Sequence, residues 1–269
     1  MRLINSIIVI IVLAMTQQAL TQQSYEKILF CYGDLYPEKT TGYDLVVLEP
    51  IHFSAQDVTV FKNNNKKVLA YISLGEVNEA ARHYEALKGF TLGKNDIWNS
   101  HVLDIANQET RAALHTLIAA HIEGKGFDGI FIDNIDNYTQ WGPTPKKLAA
   151  LVEFLSEVKL RFRESVILQN AGLLIMQDTA PYIDAVAVES VATDYNFSTN
   201  HYRLRAKKDF KSRLDNVLTV KKQYQKPILL IEYANSKKLT KEVTKRLAGC
   251  KLPFVVAQID LQTVPKSYE

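Results

Sequence analysis

Along residues 28–258, short apolar runs alternate with longer segments whose apolar residues recur at helical spacing, which predicts strands separated by helices. The strand-like runs cover 28–32, 44–49, 68–73, 101–105, 130–133, 166–170, 185–189, 228–232 and 254–258. Helices are expected over 56–65, 78–87, 108–123, 143–163, 173–181, 202–225 and 240–248. The 108–123 segment can turn Ala112, Leu117, Ile118 and Ile122 toward one face, as an amphipathic helix requires. Pro143 and Pro145 suit the first turn of the helix they open. Residues 88–100, with Trp98, read as a long connection. Strands joined by helices pair in parallel. Eight such units fill about 250 residues as a (β/α)8 TIM barrel, an α/β fold with its active site at the C-terminal rim of the strands. Nine runs for eight positions leave one extra, and 101–105 is the weakest.

Three of the runs share one layout. Tyr43-Asp44-Leu-Val-Val-Leu-Glu49, Phe127-Asp128-Gly-Ile-Phe-Ile-Asp133 and Ile183-Asp184-Ala-Val-Ala-Val-Glu189 each carry an Asp, four uncharged residues and a second acid. The 228–232 run ends the same way at Glu232. Strand side chains alternate between faces, so Asp133 shares a side with Phe131 and Gly129, and Glu189 with Ala187 and Ala185. The branched Ile130, Ile132, Val186 and Val188 then face the outer helices. Isolated carboxylates resist burial, and a single strand-end Asp is ordinarily a helix cap or a lysine's partner. Four acids on one rim are explained together by one site.

The 269-residue chain is 47% hydrophobic and 23% charged, an ordinary globular composition. Its start differs: Arg2, an apolar run over 3–15 and a polar stretch over 16–23 have the form of a secretory signal peptide. The apolar run is too short for a stable membrane anchor. Residues 1–23 are therefore expected to be removed and 24–269 to form one secreted or periplasmic domain, expected to be monomeric. A net charge of +3, with lysines spread along helices and no interleaved aromatic row, argues against nucleic-acid binding. Cys31 and Cys250 read as two buried free thiols.

Several chemistries fall away. There is no GxSxG elbow, since 71–75 lacks the first glycine, and neither GxGxxG nor a Walker loop occurs. His52, His83, His101, His115, His121 and His201 show no HxH or HxxxH spacing, which argues against a histidine-built zinc site. An all-carboxylate Mg or Ca site from Asp133, Asp136 and Glu189 stays open. Beside it stands carboxylate chemistry with no metal and no cofactor expected, whose common form in a secreted barrel is glycoside hydrolysis. One carboxyl donates a proton to the leaving oxygen while the other, ionised, attacks the sugar or activates water. Crowding two acids drives their proton affinities apart and supplies both roles. Tyr32, Tyr71, Trp98, Tyr138, Trp141, Tyr195 and Tyr233 lie near strand ends, where aromatic rings stack on sugars; singly, each reads as ordinary packing.

The segment Gly126-Phe-Asp-Gly-Ile-Phe-Ile-Asp133-Asn-Ile-Asp136-Asn-Tyr138 resembles the signature of glycoside hydrolase family 114, the endo-α-1,4-polygalactosaminidase family. That signature reads roughly Gly-x-Asp-Gly, two or three residues, then Asp-Asn-Val-Asp-Gly-Tyr. Residues 68–76, Val102-Leu-Asp104-Ile and Val186-Ala-Val-Glu189 match further blocks in the same order. Asn137 stands where the family has Gly, and Ser190-Val191 differ from the residues that commonly follow the Glu. The resemblance implies a barrel that cleaves α-1,4-linked galactosamine polymers with an Asp and a Glu, mapped onto Asp133 and Glu189. Asp133 is then the nucleophile or water-positioning base and Glu189 the general acid, with Asp136 binding substrate or tuning Asp133. Tyr138, Glu76, Asp104, Asn170, Tyr71, Tyr32, Glu49, Glu232 and Tyr233 are expected to bind the sugar. An acid-rich rim attracts a polymer bearing ammonium groups. Two alternatives are a non-catalytic carbohydrate-binding barrel and a metal-dependent hydrolase or deacetylase built on Asp133 and Asp136.

Overall fold

The computed structural model describes residues 25–265; the expected signal peptide lies outside them. Eight strands form one sheet: β1 (Ile28–Cys31), β2 (Leu45–Leu48), β3 (Val68–Ser73), β4 (Gly129–Asp133), β5 (Val166–Asn170), β6 (Ala185–Glu189), β7 (Ile228–Tyr233) and β8 (Phe254–Ala257). They are hydrogen-bonded in chain order, with each pairing parallel. Beyond β8 the chain returns to β1, where Tyr32 N–H donates to Leu261 O at 2.7 Å. Helices α1 (Ala55–Asn64), α2 (Gln108–Ala119), α3 (Leu148–Arg161), α4 (Lys207–Tyr224) and α5 (Lys237–Leu247) lie between strands, and short helical turns fill residues 173–182 between β5 and β6.

The period-2 reading of the strands holds. Phe131, Ala185, Ala187, Leu69, Leu168 and Ile231 pack inside the barrel, while Ile130, Ile132, Val186 and Val188 pack outward with Leu114, Leu151 and Phe154 of the helices. The first Asp of each repeated layout belongs to the opposite end from the rim. Asp44 accepts from the amides of Glu26 and Lys27 at 2.8 and 2.9 Å, Asp128 from Val68 at 2.9 Å, and Asp184 from Ile167 at 2.8 Å. Each also meets a lysine: Lys66, Lys62 and Lys159 respectively. The layout thus combines a staple at the strand's foot with an acid at its head.

The structure corrects two expected helices and places the surplus run. Residues 76–103 form a small antiparallel sheet of Glu76–Asn78, Thr91–Asn95 and Ser100–Leu103, so the 101–105 run lies outside the barrel. Only Tyr84–Leu87 of the expected 78–87 helix is helical; Asn78 instead turns the chain, its side chain accepting from Ala80 N–H. The expected helix at 202–225 begins five residues later, because Thr193–Asn196 and His201–Leu204 pair as a hairpin held by Tyr202 packing against the barrel interior. Cys31 and Cys250 are free, with Cys250 only partly buried. Among the described residues, no helix is long and apolar enough to cross a membrane.

Candidate active site

β4, β5 and β6 end side by side in Asp133, Asn170 and Glu189. The Asn170 amide Nδ2 donates to Asp133 Oδ1 at 2.8 Å and to Glu189 Oε1 at 2.6 Å. One nitrogen holding both oxygens keeps these two at most 5.4 Å apart, closer than the carboxyl separation of about 6.5–9.5 Å that inverting glycosidases use. The other oxygen of each acid meets a tyrosine. Tyr71 from β3 donates to Asp133 Oδ2 at 2.9 Å, and Tyr233 from β7 donates to Glu189 Oε2 at 2.6 Å. Tyr32 from β1 packs on Tyr71 with ring centroids 4.7 Å apart, and Tyr71 lies over Phe131. The Asn170 Oδ1 is buried without a partner, the consequence of turning both amide hydrogens to the acids.

The chain turns sharply after each of these three residues. Asn134, Ala171 and Ser190 all have positive φ, between 55° and 59°. Non-glycine residues avoid that region, and their presence in a cluster is a mark of functional sites. Asn134 tolerates it best, and its backbone N–H donates to Asp133 Oδ1. Gly75 is required for another reason: a Cβ there would lie 2.4 Å from Asn134 O.

The other sequence candidates are distributed around this pair in different ways. Asp136 is exposed on the rim and accepts from Gly172 N–H at 2.8 Å, joining the loops after β4 and β5. Glu49 stands at the end of β2, with its charge directed toward Tyr32 and Tyr71. Glu76 is buried and its carboxylate is occupied by Asn95, Ser100 and Asn137. Glu232 is fully buried, accepting from the amides of Ala192 and Thr193 and from the Thr193 hydroxyl. Asp104 pairs with Lys147 at 2.9 Å. Tyr138 is buried and donates to Leu74 O. These last four anchor loops, and their polar atoms are turned away from the Asp133–Glu189 pair. Asn137, the departure from the family motif, donates to Gly75 O and Glu76 Oε1. Its amide is thus committed, and Asn137-Tyr-Thr139 is no accessible glycosylation sequon.

Electrostatics separates Glu189 from ordinary surface carboxylates. The Glu189 pKa is raised, first by burial and then by the Asp133 charge, against the lowering effect of Tyr233 and Asn170. Tyr71, Tyr32 and Tyr233 are pushed well above the usual phenol range by burial and by the acids they face, so they remain donors. Burial raises Glu49 to about 7, with Lys125 opposing. Asp136 is raised by the protein around its carboxyl and by Asp133, a push that its exposure to water weakens. Among the described residues, no three His, Cys, Asp or Glu side chains form a set arranged to hold a metal ion.

Sequence reading did not place Phe197, which stands at the rim on the hairpin after β6 with 46% of its surface exposed. A Phe in a polar turn, Asn196-Phe197-Ser198, was the available signal. The glycoside hydrolase domain of PelA from Pseudomonas aeruginosa has a similar fold: TM-score 0.78, 24% identity, 89% of this chain and 97% of that one covered. Ega3 from Aspergillus fumigatus, solved with galactosamine, aligns with TM-score 0.70 and 17% identity over 91% of this chain and 95% of its own. An uncharacterised protein of Deinococcus radiodurans is 25% identical over 238 residues, 80% of this chain and 73% of that protein. Residues 14–267 match the model of glycoside-hydrolase family GH114, and the chain, a glycosidase, belongs to that family.

Proposed function

We propose that this glycosidase is a secreted endo-hydrolase of α-1,4-linked, galactosamine-rich polysaccharide that acts through Asp133 and Glu189 with retention at the anomeric carbon. The observation that carries the mechanism is the Asn170 amide, which holds one oxygen of each acid at 2.8 and 2.6 Å. Two carboxylates held by one amide lie closer than the pair in enzymes that seat a water between acid and sugar, which supports direct attack by a carboxylate. Glu189, its proton affinity raised by burial and by Asp133, protonates the leaving oxygen while Asp133 Oδ2 or Oδ1 bonds to the anomeric carbon. Once Asp133 is an ester, its charge no longer raises Glu189. Glu189 then ionises more easily and takes the proton from the water that releases the sugar.

The family membership and the galactosamine bound to Ega3 support the choice of sugar, and the acid-rich rim supports a polymer carrying ammonium groups. The form of residues 1–23 supports export. The test is incubation with galactosamine-rich exopolysaccharide, with products sized by mass spectrometry. Shorter chains are expected from the wild type, with losses of about 10²-fold or more in Asp133→Asn and Glu189→Gln. Undiminished cleavage by both variants contradicts the assignment.

A further inference from the structure

The hairpin after β6 contacts three other parts of the rim. Its base is fixed beside β7, where Glu232 accepts from Ala192 and Thr193. Farther along, the Tyr202 hydroxyl accepts from Ile259 N–H at 3.1 Å, beyond the end of β8. At its tip, Phe197 meets Trp98 edge to face, with ring centroids 5.4 Å apart and planes at 84°. Trp98 belongs to the loop after β3, in the turn of the small sheet that Glu76 holds in place. The hairpin thus ties β7, the segment after β8 and the small sheet after β3 to one another. Tyr195 continues the row, 4.9 Å from Phe197 and 4.6 Å from Tyr202. Trp98 and Phe197 nevertheless remain 48% and 46% exposed.

We propose that Trp98 and Phe197 form an aromatic clasp over the polysaccharide: a sugar-binding subsite that holds the chain across the mouth and retains it between cuts. This rests on the proposed function and adds a mode of action to it. The apolar faces of pyranose rings stack on exposed aromatic rings, and an ammonium group over a ring adds a cation–π attraction. Two loops joined at their tips by a ring contact part to admit a long chain and close behind it. The two buried acids explain why the clasp is aligned: Glu232 fixes the hairpin and Glu76 fixes the Trp98 loop.

The test compares new reducing ends with the fall in mean polymer length, on α-1,4-linked galactosamine-rich polysaccharide. The wild type is expected to release several short oligosaccharides for each halving of a long chain. Phe197→Ala and Trp98→Ala should lower that ratio at least about threefold, and Phe197→Tyr should retain it. A ratio unchanged in both alanine variants, or one already at the random-cut value in the wild type, overturns the clasp. No cleavage by the wild type overturns the underlying reading and the clasp with it. As a second measurement, Trp141→Phe in a Glu189→Gln background leaves Trp98 as the single tryptophan. Its emission should change on adding the polymer, and an unchanged spectrum at saturating polymer overturns the proposal.

Discussion

At Asn170 a single amide nitrogen serves two carboxylates, and the cost is a buried carbonyl oxygen without a partner. Unpaired buried acceptors are kept where geometry matters more than stability. On the far side of Glu189, Tyr233 donates to the oxygen that Asn170 leaves. That bond favours the ionised carboxylate, so it works against the burial and the Asp133 charge that raise the pKa. Removing it in Tyr233→Phe raises Glu189 further. Activity that needs protonated Glu189 is lost as pH rises through its pKa, so the alkaline limb of kcat/KM should move to higher pH in the variant. A limb that stays in place or moves down contradicts the role of Glu189 as acid. At this scale the sequence was informative but not selective. Strand alternation turned Asp133 and Glu189 toward the barrel interior, and it also separates Glu232 from them, because Leu229, Ile231 and Tyr233 face the interior and leave Glu232 on the outer face; Glu76 lies beyond the end of β3, in the small sheet. Neighbouring loops then take up the oxygens of Glu76 and Glu232, in contacts between residues up to 61 positions apart.

Among the elements, the repeated Asp-to-acid strand divides its two charges between fold and chemistry. Asp128 and Asp133 lie on one strand segment, but one staples the foot of β3 and the other meets Tyr71 and Asn170 at the rim. Asp128→Ala leaves the Val68 amide unpaired and takes the carboxylate from Lys62, which keeps only its bond to Gly126 O, at an expected cost of about 1–3 kcal/mol. It should lower Tm while kcat at temperatures where the protein is folded stays near the wild-type value. Thermal melts set beside initial rates check this, and an intact Tm with lost activity contradicts the division. The eight barrel strands were legible because each is a short branched-aliphatic run bounded by polar residues. Of the small sheet at 76–103 only the strand at Ser100–Leu103 was, as the surplus run, and the hairpin at 193–204 was not. The unread strands are short and rich in polar residues, and they are held by contacts distant in sequence: Glu76 to Ser100, Glu232 to Thr193 and Tyr202 to the barrel interior. The positive φ angles after β5 and β6 fall on Ala171 and Ser190, residue types that give no warning of them.

Taken as a whole, the molecule concentrates buried acids at one end of the barrel and pays in pH-dependent stability. Glu49 has a folded pKa near 7 against an ordinary 4.5. A carboxyl raised in this way contributes fully below 4.5, where both states are protonated, and loses its contribution as pH rises toward 7. Glu49→Gln should therefore match the wild type in Tm near pH 4.5 and exceed it at pH 7. A difference independent of pH contradicts the burial argument. The same end of the molecule carries the two acids whose nearest oxygens share Asn170, and the central claim is that they act as nucleophile and acid in a double displacement. The anomer formed first decides it. Proton NMR of the earliest products from α-1,4-linked galactosamine-rich polysaccharide should show the α-anomer appearing ahead of mutarotation. First appearance of the β-anomer would mean single displacement by water and would contradict the account.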